Sequence, residues 1–196
     1  MAVSIETIRR GELIKAAYEV FQQHGFRGLT MARIGQQAGM SHGIVNYYFK
    51  SKDELLIAMV RYANRLIMDD VTRRLAKART PLQRLDAIIE GNFPAEMYDR
   101  ATANAWVSFY SVLPEHPEFE RLQTLFYRRL RSNLLDCLSK LVTRPDAERL
   151  VKGISVMIDG LWLRCALERQ RLDHKEAIEL VKDFAHSRLP RGRVAK

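Results

Sequence analysis

Cysteine is scarce. Cys137 and Cys165 are the only two in 196 residues, too few and too far apart for a disulfide framework or a zinc ribbon. No apolar run approaches the ~20 residues that cross a bilayer, and the first ten residues hold no apolar stretch of signal-peptide length. A reduced, cytoplasmic protein is the expectation. Six prolines and ten glycines are too few for a disordered or linker-rich chain. Strand-like alternation punctuated by Asn-Gly or Asp-Gly turns is missing, and no internal repeat is visible.

The marks of catalysis are missing too. There is no phosphate-binding glycine loop and no Gly-x-Ser-x-Gly elbow. His116, His174 and His186 make no metal-ligand spacing. Asp183 and His186 echo one half of a di-iron carboxylate pair, but a single copy without inward glutamates is not a site. A helical enzyme would need a paired acid and base or a metal constellation. None is found, so no enzyme, cofactor or metal is expected.

What is present is positive charge at helical period. The net charge is +9, with 32 Lys and Arg against 23 Asp and Glu. Residues 1–80 hold 13 of the basic and 7 of the acidic residues, so the excess leans towards the first two-fifths. Basic excess attracts polyanions.

Ile5, Ile8, Ile14, Ala17, Tyr18 and Phe21 recur on one face of a first helix that His24-Gly25 ends. Short helices are predicted after Thr30 and after Ser41. Ser51 opens a long helix over 52–78 with Glu54 at its third position, a capping box, and Thr80-Pro81-Leu82-Gln83 repeats the device. Later helices are predicted over 81–92, 95–113, 117–142, 146–169 and 173–188, punctuated by Pro94, Pro114, Pro117, Pro145 and Asp173. The fold class is therefore all-α, with about nine helices.

Met31 to Lys50 carries the strongest signal. A DNA-reading helix pair needs a small residue where its helices touch, a turn residue that tolerates positive φ, and apolar residues on inner faces only. Gly35 fits the contact and Gly39 the turn. Ile34, Ala38, Met40, Val45 and Tyr48 supply the inner face. Ser41 can cap the second helix, leaving Ser41, His42, Gly43, Asn46 and Tyr47 outward. Asn46 has the geometry for a bidentate contact to adenine, and Gly43 removes bulk where a helix must approach a groove closely. His42 can donate to a base edge or a phosphate, and Lys50 and Lys52 suit a backbone clamp. Two short helices in an ordinary bundle would share the spacing but not the polar outer face followed by Tyr-Tyr-Phe-Lys-Ser-Lys.

The run Thr30-Met31-Ala32-Arg33-Ile34-Gly35, then Gly39-Met40-Ser41, then Tyr48-Phe49-Lys50-Ser51-Lys52-Asp53-Glu54-Leu55-Leu56, resembles the DNA-binding domain of TetR-family repressors over about the first 56 residues. The resemblance implies a three-helix DNA-binding domain at 1–56. A connecting fourth helix and a helical ligand-sensing and dimerisation domain would fill 57–196, with dimerisation through the last two helices. It implies phosphate contacts for Tyr47 and Lys52 and an apolar anchor for Phe49. Asn46 departs from it, since many members place tyrosine there, which leaves base preference at that position open. With Thr30, Arg33 and Tyr48 added, the expected set facing double-stranded operator DNA is complete.

Further along, Ile88–Phe93, Ala105–Phe109, Tyr127–Leu134 and Ile158–Arg164 are similar to the choline-responsive members of the same family, which repress genes that oxidise choline to glycine betaine. That resemblance implies choline as the releasing effector of an osmoprotectant pathway. Quaternary ammonium groups have no N–H to donate, so their sites are built from aromatic faces and a carboxylate. Trp106 and Tyr110 crowd one side of a helix. Asp159 sits inside the apolar run Ile154 to Leu163, three residues before Trp162, and needs a partner there, for which Arg164 is one candidate. Asn92, Phe93, Trp106, Tyr110, Asp159 and Trp162 are the expected effector residues.

An aromatic stripe is also what a plain core looks like. A repressor of efflux or other genes answering a different hydrophobic or cationic ligand remains the alternative. Arg121, Arg128, Arg129 and Arg131 read as a solvated face paired to Glu118, Glu120 and Asp136. Apolar faces at Ile154, Met157, Ile158 and Leu161, and at Leu172, Ile178, Val181 and Phe184, predict a two-fold homodimer.

Overall fold

Side chains that accept backbone N–H groups set where the helices begin. The computed structural model describes residues 4–169 and 172–190. Its helices are α1 (Ile5–His24), α2 (Met31–Ala38), α3 (His42–Tyr48), α4 (Lys52–Leu75), α5 (Pro81–Gly91), α6 (Arg100–Tyr110), α7 (Pro117–Leu138), α8 (Arg144–Leu167) and α9 (His174–His186). Ser4, Thr30, Ser41, Thr80, Thr143 and Asp173 each cap a first turn. Thr80 with Gln83, and Asp173 with Glu176, form complete capping boxes. No strand occurs among the described residues, so the fold is all-α.

Most starts match the sequence pattern, and several ends do not. α6 begins at Arg100 rather than 95, because the Pro94 carbonyl accepts from both Met97 and Tyr98 in a tight turn. That turn folds Met97 and Tyr98 inward as buried side chains. α6 stops at Tyr110, ahead of a short 3-10 turn at Leu113–Glu115 that carries Pro114. α4 ends at Leu75 rather than 78 and α7 at Leu138 rather than 142, their last turns tightened by bonds such as Ala78 N–H to Leu75 and Lys140 N–H to Cys137. No helix among the described residues is long and apolar enough to cross a membrane.

The chain forms two compact units. The first holds the chain through Arg65 together with Ala101–Leu122. Here α1, α2 and α3 bury Leu13, Ala17, Phe21, Leu29, Ile34, Val45 and Phe49. α6 is built into the same core, with Trp106 edge-on to Phe21 at 5.6 Å between ring centroids. Gln22 Nε2 donates to Thr102 Oγ1 at 2.8 Å, and the Phe26 N–H to Ser108 Oγ at 2.8 Å. Phe26, Phe109 and Phe119 complete an aromatic cluster. Ile5 and Ile8 are not on the buried face that their spacing suggested. Ile5 is 75% exposed and Ile8 49%, because the buried positions of α1 begin only at Leu13.

The second unit holds Leu66–Arg100 and the chain from Gln123 onward. In it α9 packs on α5 and α8. The last turns of α4 meet α5 where Gly91 lies on Val71. Asp70 is nearly fully buried; burial alone raises its carboxyl, but Arg73 and Arg74 outweigh it and hold the group below the usual range. Arg74 also pairs with Glu90, which binds Lys182 of α9, and His186 Nε2 lies 2.7 Å from Asp86. Arg131 reaches Glu148 of α8, while Asp136 takes Arg84 of α5 and Lys140 in the turn that follows α7, rather than an arginine of α7 itself. Both cysteines are buried, and burial pushes the Cys137 thiol up to about 11.

The apolar faces expected to dimerise are in large part this chain's own core. Ile154, Ile158, Leu161 and Val181 are buried within the unit. A different row of α8 is open: Val156 is 70% exposed, Leu163 46% and Leu167 65%. Gly160 has nothing within 4 Å of where a Cβ would sit. These four positions follow helical spacing along one side.

Candidate functional site

The helix pair in the first unit is held by contacts that leave no room for larger residues. A Cβ on Gly35 would lie 2.8 Å from the Met40 carbonyl oxygen and 3.1 Å from Val45, so only glycine lets α2 and α3 meet this closely. Gly39 adopts φ +64°, ψ 28°, the left-handed turn conformation, and its N–H satisfies carbonyls at the end of α2. Ile34 and Val45 are fully buried between the helices.

Ser41, His42, Gly43, Asn46 and Tyr47 are all exposed on α3, as are Lys50 and Lys52 beyond it. Ser41 Oγ accepts the Ile44 N–H, and Thr30 Oγ1 the Arg33 N–H at 3.2 Å. A hydroxyl that accepts in a cap keeps its own O–H for an external acceptor such as a phosphate. Arg33 is exposed but its guanidinium donates to the Gly28 carbonyl, and Lys50 Nζ donates to the Tyr47 carbonyl. Tyr48 is half-buried, its ring edge-on to Tyr47. A Cβ on Gly43 would meet only Ser41 Oγ at 3.9 Å. Folding therefore does not need glycine there, although glycine inside a helix costs about 1 kcal/mol.

Two residues escaped the sequence pattern. Arg10 of α1 donates to the Tyr48 carbonyl and to Glu54 (2.8 Å), and its guanidinium lies 4.1 Å from the Phe49 ring centre. Glu54 also accepts the Lys50 N–H, in place of the Ser51 N–H that a full capping box would use. The Arg10 hydrogen bond, seconded by Lys50, keeps the Glu54 carboxyl below its ordinary range. Arg10 thus fastens the junction of α3 and α4 to α1. Separations of 38 and 44 residues give no local signal of it. Ile44 is the other, 44% exposed among polar neighbours.

In the second unit, Asn92, Phe93 and Trp162 do come together. Trp162 Nε1 donates to the Asn92 carbonyl at 3.1 Å, and the buried Asn92 side chain donates through Nδ2 to the Ile88 carbonyl at 2.7 Å. Tyr98, one of the aromatics of this part of the chain but not in the expected effector set, stands edge-on to both Phe93 (5.3 Å) and Trp162 (5.0 Å). Its hydroxyl donates to the Leu161 carbonyl. Asp159 is hydrogen-bonded by Tyr127, not Arg164, which pairs with Glu168. Desolvation by neighbouring groups raises the Asp159 carboxyl despite that bond, although the residue as a whole is exposed on α8 rather than enclosed in the apolar run as expected. Burial, then the Asp159 charge, raises the Tyr127 hydroxyl, which also bonds buried Gln123. Trp106 and Tyr110 lie in the first unit, Trp106 being only 6% exposed against Phe21, Phe109 and Tyr110. No cluster of potential metal ligands occurs among the described residues.

Residues 13–59 match the family of bacterial regulatory proteins called tetR, and residues 81–190 match the C-terminal domain of BetI-type transcriptional repressors. The HTH-type transcriptional regulator BetI of Brucella canis is 37% identical over 182 residues, 93% of this chain and 92% of that one. The regulator BetI 1 of Chromohalobacter salexigens is 37% identical over 191 residues, covering 97% and 95%. Among solved structures, a putative transcriptional regulator from Saccharomonospora viridis in complex with choline shares the fold. Its TM-score is 0.77 at 18% identity, over 92% of this chain and 96% of that one. Relatives and family are transcriptional regulators, not enzymes. With its helix-turn-helix and its all-helical second part, the chain belongs to the TetR family of regulators, in the group whose C-terminal domain is of the BetI repressor type.

Proposed function

We propose that this chain is a cytoplasmic, homodimeric repressor of genes that make glycine betaine from choline, and that choline releases it from its operator. The observation that carries the DNA half is the exposed polar row on α3 held rigid by Gly35 and Arg10. The proposed division of labour is DNA binding by residues 1–56, and effector sensing and dimerisation by the remainder. Ser41, His42, Gly43 and Asn46 face base edges. Thr30, Arg33, Tyr47, Tyr48, Lys50 and Lys52 serve the phosphate backbone. Asn46→Ala should flatten base preference at one operator position at a cost of about 1–3 kcal/mol. Lys52→Ala should weaken all sequences alike and lower the salt slope by about one. Randomised-site selection with each variant is the measurement, and an unchanged selection by Asn46→Ala removes that residue from base reading.

For assembly, the open row Val156, Gly160, Leu163 and Leu167 replaces the buried positions first expected. Leu163→Glu puts a charge in the middle of that row and should turn a dimer into a monomer at micromolar concentration. Light scattering behind a sizing column reads this, and a monomeric wild type refutes the dimer.

The effector half is supported by the match of residues 81–190 to the BetI-type domain. Its proposed residues are Phe93, Tyr98 and Trp162 as aromatic faces, Asn92 beside them, and Asp159 with Tyr127 as the charge. Trp106 and Tyr110 are assigned to packing in the first unit. Among the described residues the Asp159 carboxylate is hydrogen-bonded by a phenol, Tyr127, and its exposure on α8 suits it to a cation from outside the chain. Choline must then favour the conformation that fits DNA poorly, by about 1–3 kcal/mol of coupling. Calorimetry with choline, glycine betaine and trimethylamine tests this. Choline should bind best, and Asp159→Asn should weaken it at least about tenfold, near 1.4 kcal/mol. Equal heats for all three ligands, or normal choline binding by Asp159→Asn, overturns the site.

A further inference from the structure

Ile44 is the apolar exception on a helix face otherwise built for polar partners. It stands in the first turn of α3, between Gly43 and Val45. Val45 is fully buried against Gly35, while Ile44 is 44% exposed. The same surface carries Tyr47, which is 70% exposed. Together with Arg9, Gly39, Met40 and Tyr48 they line a shallow hollow of about 280 Å³. Met40, Ile44 and the two tyrosine rings make its lining largely apolar, and Arg9, an exposed residue paired with Glu12 of α1 at 2.8 Å, is the one cation among its lining residues.

Packing inside the unit does not account for this side chain. A leucine or isoleucine scattered alone on a surface needs no explanation. Ile44 is not alone: it adjoins Tyr47, a second large exposed group, and Gly43, which removes bulk that the fold has room for. A largely apolar hollow with one arginine in its lining fits a ligand that offers one apolar group beside negative charge. Along the major-groove edge of a duplex, the base pair that offers such a group is A·T, through the C5-methyl of thymine, with phosphates flanking it.

We propose that Ile44, backed by Tyr47, reads the 5-methyl group of a thymine in each half-site, giving α3 a methyl-specific contact separate from the polar contact of Asn46. The proposal rests on the operator-binding reading above. It predicts that specificity at one position per half-site depends on a single carbon atom of the DNA and on the γ and δ carbons of one side chain.

The experiment takes the sequence enriched by the full-length wild-type protein in a randomised-site selection. Each thymine is then replaced in turn by deoxyuridine, which changes nothing but the methyl group. At one thymine per half-site the wild type should lose about fourfold in affinity, the worth of one buried methyl. Ile44→Ala should bind the thymine operator more weakly and show no further loss at that deoxyuridine. Ile44→Val, which keeps both γ carbons, should retain part of the discrimination. Melting curves of both variants should match the wild type, since Ile44 contributes little to the core. If the wild type selects a sequence but no deoxyuridine position distinguishes it from Ile44→Ala, the methyl contact is wrong while operator reading stands. If no sequence is enriched at all, the operator reading fails and the contact with it.

Discussion

Trp106→Ala should destabilise the protein by about 3–5 kcal/mol, the usual cost of deleting a core tryptophan. For a chain of this size that lowers the melting temperature by roughly 6–20 °C. The indole is only 6% exposed and touches three rings: Phe21 at 5.6 Å, Phe109 at 5.6 Å and Tyr110 at 6.1 Å. Phe21 is itself fully buried in α1, and the next residue, Gln22, is hydrogen-bonded to Thr102 of α6. The cavity would therefore open on the first helix of the DNA-binding part. Operator affinity should fall along with stability, whereas a residue that served only the effector would leave DNA binding intact. Trp106→Phe, which keeps a ring against Phe21, should recover most of the loss. Thermal melts and operator titrations of the two variants provide the test. A Trp106→Ala protein that melts within about 2 °C of wild type and binds operator normally would return Trp106 to the effector site.

Gly91→Ala should be nearly as damaging, for the opposite reason. A Cβ there would lie 2.6 Å from Val71 Cγ2, 2.7 Å from its Cα and 2.8 Å from its N. Real Cβ atoms do not approach backbone this closely, so α4 and α5 must separate. Overpacking of a buried contact costs about 1–3 kcal/mol, and more where backbone has to move. The strain cannot be released locally. Asn92, the next residue, holds Trp162 through its carbonyl, and Asp70, the residue before Val71, is held by Arg73 and Arg74. Adding Val71→Ala removes only the Cγ2 contact and should restore a minor part of the stability. Denaturant midpoints of the single and double variants measure this. Full rescue by Val71→Ala would show that the side chain, not the backbone, sets the approach of the two helices.

The helix-turn-helix was legible because its determinants lie within about twenty residues of one another. Gly35, Gly39 and Ser41 act through a contact, a turn and a cap whose spacing the backbone geometry dictates. The same holds for Thr80-Gln83 and for the all-α class. Helix ends were less legible, since the turn after Pro94 depends on Met97 and Tyr98 finding a core to enter. Periodicity told that Ile154, Ile158 and Leu161 share a face, but not what covers it; the cover is this chain's own second unit, and Val156, Leu163 and Leu167 are left open instead.

Local order alone therefore determined the class of fold, the DNA-reading pair and the family to which the chain belongs. Tertiary structure decided the rest. It set Arg10 on the end of the recognition helix, Trp106 on Phe21, Tyr98 between Phe93 and Trp162, and Tyr127 rather than Arg164 on Asp159. The physical reason is range. Caps, turns and periods act over one to four residues and are written in the order of the chain. A partner for a buried ring or charge is chosen among all groups that the packed helices bring within a few ångströms, and sequence distance places no limit on which one that is.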